Sequence, residues 1–164
     1  MRILTSLCLA LLLAASQATA AAETKPGDDA ALRGVETGKV VFDINMGEPG
    51  KLALYLGVIR ETIADLRRQD VEPDVILAFR GPSVKLISED REQAELTDFE
   101  HLDRVAEQLA DLQRAGARME ACSVAMRLSK VDSASLLDGI EPVGNTFVSL
   151  TGYHAQGYAS IPIQ

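Results

Sequence analysis

The run Val75-Ile-Leu-Ala-Phe79 is unbroken by any polar side chain and follows Pro73. A strand this apolar must be covered on both faces, which is the condition of strands in parallel sheets. The run in turn follows a segment with a different period. Leu52, Tyr55, Leu56, Ile59, Ile63 and Leu66 recur every three or four residues, while Arg60, Glu61, Asp65, Arg67 and Arg68 lie mostly off that stripe. This is one apolar face of a helix. A β-branched stretch, Val40-Val-Phe-Asp-Ile44, precedes it and reads as a strand, with turn formers in Asn45-Met-Gly-Glu-Pro-Gly50 between them.

The alternation continues toward the C-terminus. Gly81-Pro82 is expected to open a short helical segment carrying Val84, Leu86 and Ile87. Residues 88–96 are charged and read as a solvated loop. Thr97 with Glu100 matches a capping box for a helix marked by Leu102, Val105, Leu109 and Leu112, and Gly116 is its expected stop. His101, in the first turn, is expected to be exposed. A short strand then runs to Cys122 and a helix starts at Ser123. Asp132 or Ser133 can cap a further turn before Gly139, and the last two strands are expected at 146–150 and 158–163. Strands and helices in this order predict an α/β fold, a three-layer α/β/α sandwich with a mostly parallel sheet of about five strands.

The first residues have a different character. Arg2, the apolar stretch from Ile3 to Ala15 and the small-x-small pattern Ala18-Thr19-Ala20 read as a secretory signal, with cleavage after Ala20 or Ala22. The apolar stretch is shorter than the roughly 20 residues needed to span a bilayer, so no membrane anchor is expected. Residues 1–22 are thus read as signal, 23–38 as a flexible mature N-terminus and 39–164 as one domain. Export places the chain in the periplasm of a bacterial source. Acidic residues outnumber basic ones, 24 to 16, which argues against nucleic acid and anionic membranes as partners.

Cys8 leaves with the signal, so the exported chain keeps one cysteine, Cys122. A lone thiol cannot close an intramolecular disulfide, and no Cys-x-x-Cys or metal-ligand spacing accompanies it. His101 and His154 are separated, and a cysteine–histidine hydrolase would need His154 beside Cys122. Chemistry in parallel sheets gathers at the carboxyl ends of the strands. That rule brings together three loops, at 45–50, 80–83 and 122–123. Cys122 is the candidate nucleophile, with Asn45, Arg80, Gly81 and Ser123 as pocket candidates. A helix starting at Ser123 would aim N–H groups at the sulfur and favour the thiolate. Arg127 would help if the helix turned it back, and Glu120 is expected to project the other way. A small buried core thiol is the competing reading.

Three stretches resemble the DsrE/DsrF-like proteins. The first is Gly116-Ala-Arg-Met-Glu-Ala-Cys122-Ser-Val-Ala-Met126, similar to the family's strand that ends in a cysteine opening a short helix. The second is Ile76-Leu-Ala-Phe-Arg-Gly81-Pro-Ser-Val-Lys-Leu-Ile87, similar to the family's second strand, its Gly turn and the short apolar helix after it. The third is Leu150-Thr-Gly-Tyr-His-Ala-Gln156-Gly157-Tyr158-Ala-Ser-Ile161, similar to its closing segment and last strand. Arg80 stands where similar proteins often carry histidine. The resemblance implies a compact α/β domain that forms homo-oligomers, trimers or hexamers, or joins related subunits. It also implies that Cys122 carries sulfur as a persulfide between a donor and an acceptor protein, with no metal or organic cofactor. A non-enzymatic oligomeric binding or scaffold module and a redox-sensing thiol are the alternatives.

Overall fold

The computed structural model describes residues 25–92 and 94–164. The signal read in residues 1–22 lies outside them. Five strands form one sheet: β1 (Thr37–Ile44), β2 (Glu72–Phe79), β3 (Arg118–Cys122), β4 (Ile140–Val143) and β5 (Ala159–Ile163). Their order is β4-β3-β2-β1-β5 and every pairing is parallel. The helices are α1 (Pro49–Arg68), α2 (Phe99–Arg114), α3 (Ser123–Ser129) and α4 (Thr146–Ala155), with a 3₁₀ segment at Gly81–Ile87.

Period-two alternation along β1 and β2 divides the core. Val40, Phe42, Ile44, Val75, Leu77 and Phe79 face α1 and α2 in one large cluster. Val41, Ile76 and Ala78 face the opposite way, toward Tyr158 with Leu150 and Tyr153 of α4. This double burial is what the apolar run of β2 required. The large cluster takes its helical half from Leu52, Leu56, Ile59 and Ile63 of α1 and from Leu102, Val105, Leu109 and Leu112 of α2. At about 25 cal/mol per Å² of apolar surface, this layer dominates the stabilisation.

The layer on which each helix lies follows from chain direction. Parallel crossovers are right-handed. Steps β1 to β2 to β3 to β4 all move one way across the sheet and keep α1, α2 and α3 on one face. The step from β4 back to β5 moves the other way, so α4 crosses the opposite face. A topological switch therefore lies between the carboxyl ends of β3 and β4, where the chain leaves toward different faces.

Four local expectations are corrected. Residues 146–150 form the first half of α4 and are no strand, because Asn145 caps a helix there, its side chain accepting the Phe147 N–H at 3.0 Å. The fourth strand is Ile140–Val143, where Pro142 is tolerated because β4 is a sheet edge. The Thr97–Glu100 capping box is not formed. Leu96–Asp98 is already a 3₁₀ turn and Asp98 has helical dihedrals, so the helix continues an existing turn without a side-chain cap. His101 is half-buried against Gly50 of α1. The stop at Gly116 is as expected: its φ of +92° is the left-handed conformation glycine adopts freely.

Ahead of β1, residues 25–28 lie against the C-terminal half of α1. Lys25 pairs with Glu61 and Asp65, Arg68 donates to the Pro26 carbonyl at 3.1 Å, and Gln69 donates to Asp28. Among the described residues no helix is long and apolar enough to cross a membrane.

Candidate functional site

Cys122 is the last residue of β3 and the N-cap of α3, with extended dihedrals of φ −69° and ψ 111°. It stands at the switch between β3 and β4, where open α/β sheets place their ligands. Its partner in register is Val143, the last residue of β4. Only Gly144 and Asn145 separate that strand from α4. The first N–H of α4, on Thr146, consequently points at Sγ from 3.5 Å.

The side chain is 5% exposed, yet it lines an open-mouthed cavity of about 270 Å³. Arg80, Gly81, Val124, Ala125, Leu128, Ser129, Asn145, Thr146 and Phe147 complete the wall. A second cavity of about 280 Å³, lined by Pro82, Lys85, Ser88, Asp98 and Lys130, has no cysteine in its wall.

Burial pushes the Cys122 thiol up, but hydrogen bonding to the sulfur outweighs it and the thiol is held below its ordinary value. The Thr146 N–H donates to the sulfur, and the N–H groups of Ala125 and Val124 and the Thr146 hydroxyl lie near enough to act on it in the same direction. Two chain segments thus present positive ends to one sulfur, which favours thiolate. Thr146 is fully buried, and among the described residues its hydroxyl meets hydrogen-bond geometry with no protein atom. It acts on Sγ from nearby without being committed to it. An unsatisfied buried hydroxyl costs roughly 1–3 kcal/mol.

Arg80, at the end of β2, pairs with Asp43 of β1 through two bonds, Nε at 2.6 Å and a terminal nitrogen at 2.9 Å. Its guanidinium lies 5.6 Å from the Phe147 ring centre. The Asp43 hydrogen bond raises the Arg80 pKa, burial opposes this, and Cys122 adds a smaller attraction. Arg80 is therefore a cation already matched by a carboxylate, and the cavity carries little net charge from side chains.

The expected site residues divide as follows. Arg80 and Gly81 line the cavity with Cys122. Asn45 does not: its side chain packs on Gly81, which has a φ of +56°, and fills the space a Cβ there would need. Ser123 opens α3, but its side chain is not part of the wall. Arg127 is exposed and is not among the groups acting on the sulfur. Glu120 was expected to project away from Cys122. It accepts a hydrogen bond from Tyr153 of α4, which packs on the face opposite the cluster that contains Cys122. Burial and then Glu120 push the Tyr153 hydroxyl up to about 12. His154 lies in the last turn of α4, exposed, about 12 Å along the axis from Thr146, which removes it as a base for Cys122. Sequence reasoning missed Asn145, Thr146 and Phe147. An asparagine followed by a helix start was the available signal.

Comparison with known proteins gives a consistent picture. A curated protein of Aquifex aeolicus (strain VF5), described as uncharacterized, is 22% identical over 125 residues, which are 76% of this chain. The match takes in 55% of that relative, so the chain spans about half its length. Among solved structures, the protein of unknown function MTH1491 from Methanobacterium thermoautotrophicum superposes with a TM-score of 0.60 at 22% identity, covering 76% of this chain and 97% of that one. The ychN protein from E. coli gives 0.54 at 18% identity, covering 76% and 99%. Both share the fold. The DsrE/DsrF-like family model matches residues 39–162, nearly all of the sheet and the whole Cys122 cavity, and the chain belongs to that family.

Proposed function

We propose that the protein is a sulfur carrier or sulfurtransferase that passes sulfane sulfur through a persulfide on Cys122. The observation that carries this reading is the sulfur itself: a thiol held toward thiolate by converging N–H groups, opening on a cavity of about 270 Å³. In the loading step the Cys122 thiolate attacks the outer sulfur of a donor R–S–SH. A new S–S bond forms at Sγ, the donor S–S bond breaks, and R–S⁻ departs. Discharge reverses this toward an acceptor thiolate, with Cys122 thiolate as leaving group. Both steps are redox-neutral, and the same N–H groups stabilise the attacking and the departing anion. Arg80, bound by Asp43, borders the reaction space as a fixed dipole.

The protein is further proposed to be exported to the periplasm, which rests on the signal-like pattern of residues 1–22, and to self-associate, as members of this family often do. The test of the central reading is mass spectrometry after incubation with inorganic polysulfide. The wild-type chain is expected to gain one sulfur atom on Cys122 and Cys122→Ala none. If Cys122 gains nothing while a control carrier is loaded, the reading fails.

The 5% exposure of Cys122 favours a second reading, an oligomeric binding module with an inert thiol. Alkylation of the native protein separates the two. An inert thiol reacts only after unfolding, and a carrier thiolate reacts in the folded chain.

A further inference from the structure

Resting on the persulfide reading, we propose that Thr146 is the receptor for the transferred sulfur: its buried hydroxyl, with its own N–H, holds the anionic outer sulfur of an organic-type persulfide on Cys122. Three observations lead there. The hydroxyl is wholly buried on the wall of the Cys122 cavity, and among the described residues it has no hydrogen-bond partner. The Thr146 N–H already faces Sγ at 3.5 Å. The remaining polar side chains of the wall are partly engaged or lie further along α3. Asn145 accepts from the Phe147 N–H, Arg80 is paired with Asp43, and Ser129 lies about 9 Å along α3 from its start.

A second sulfur bonded to Sγ stands about 2.05 Å from it, which carries it into the cavity beside α4. There it meets Val124, Ala125, Leu128 and Phe147, which are apolar, and the Thr146 hydroxyl, which is not. A persulfide is a stronger acid than its parent thiol, so the outer sulfur carries charge at neutral pH and accepts the hydroxyl proton as a hydrogen bond. The charged side chain of the wall is Arg80, paired with Asp43, and Glu120, two positions earlier on β3, is bound to Tyr153. None is a free cation, so the neutral donors of α4 fall to this task. The site accordingly takes monoanionic sulfane sulfur in preference to a dianion such as thiosulfate.

The experiment loads full-length wild type, Thr146→Val and Thr146→Ser with a small alkyl persulfide. It measures the loading equilibrium by mass spectrometry and the persulfide titration by near-ultraviolet absorbance. Wild type is expected to titrate below the free alkyl persulfide. Thr146→Val is expected to load about fivefold less favourably and titrate higher, and Thr146→Ser to stay within about twofold of wild type. Equal loading and equal titration of wild type and Thr146→Val overturn this inference alone. A wild-type chain that takes up no sulfur overturns it together with the persulfide reading. Should Thr146→Val not fold, the wild-type titration decides, because a midpoint equal to that of the free persulfide leaves the hydroxyl without this role.

Discussion

Cys122 couples protonation to folding in a definite direction. Its folded thiol is held below the ordinary value, so the folded state releases the proton more readily than the unfolded one. The stabilisation this gives is fully present above the unfolded pKa, near about 8.5, and is lost as pH falls through the lower folded value. Alkylation follows the same ionisation. The rate of iodoacetamide labelling of the folded chain should reach half its plateau at a lower pH than free cysteine does, and a midpoint at or above that of free cysteine contradicts the geometry. The sequence showed where this thiol sits but not what ionises it. Thr146 is 24 positions away, and its place beside the sulfur depends on β4 lying next to β3, a pairing no local pattern announces. Asn45 shows the opposite limit. Its loop was correctly brought to the sheet end, yet the left-handed backbone at Gly81 gives its side chain a packing role against the glycine.

Among the elements, those with strong periodicity were legible, and those defined by partners were not. α1, α2 and β2 carry patterns that one covering face or two can satisfy in only one way. Thr146-Phe-Val-Ser-Leu150 is rich in strand-forming side chains and turns helical because the Asn145 side chain satisfies the Phe147 N–H and Leu150 and Tyr153 can then reach the thin face of the sheet. The same cap fixes the Thr146 N–H in line with Sγ. Asn145→Ala should therefore cost about 1 kcal/mol of folding stability in urea denaturation and also move the alkylation midpoint of Cys122 upward. A loss of stability with an unmoved midpoint would separate the cap from the sulfur and show that α4 does not act on it.

For the molecule as a whole, the two faces of the sheet are unequally covered. One carries α1, α2 and α3, while α4 alone crosses the other, over Val41, Ile76 and Ala78. Around the N-terminus of α4 the surface is apolar: Leu128 is 77% exposed, Phe147 64% and Val148 68%. Two of these three, Leu128 and Phe147, also form the wall of the Cys122 cavity. Large apolar side chains left in water together mark a contact surface. A second copy of the chain is the occupant that accords with a family whose members often assemble. Packing there would narrow the cavity mouth, strengthening every hydrogen bond to the sulfur by excluding water. Sedimentation of the wild type at micromolar concentration should thus show an assembly larger than one chain, and Phe147→Glu with Val148→Glu should shift it toward single chains while the circular dichroism is unchanged. The same double change should slow sulfur loading less than it breaks the assembly, because neither side chain donates to Sγ. A wild-type chain that sediments as a single copy at every concentration removes self-association as the reason this surface is apolar.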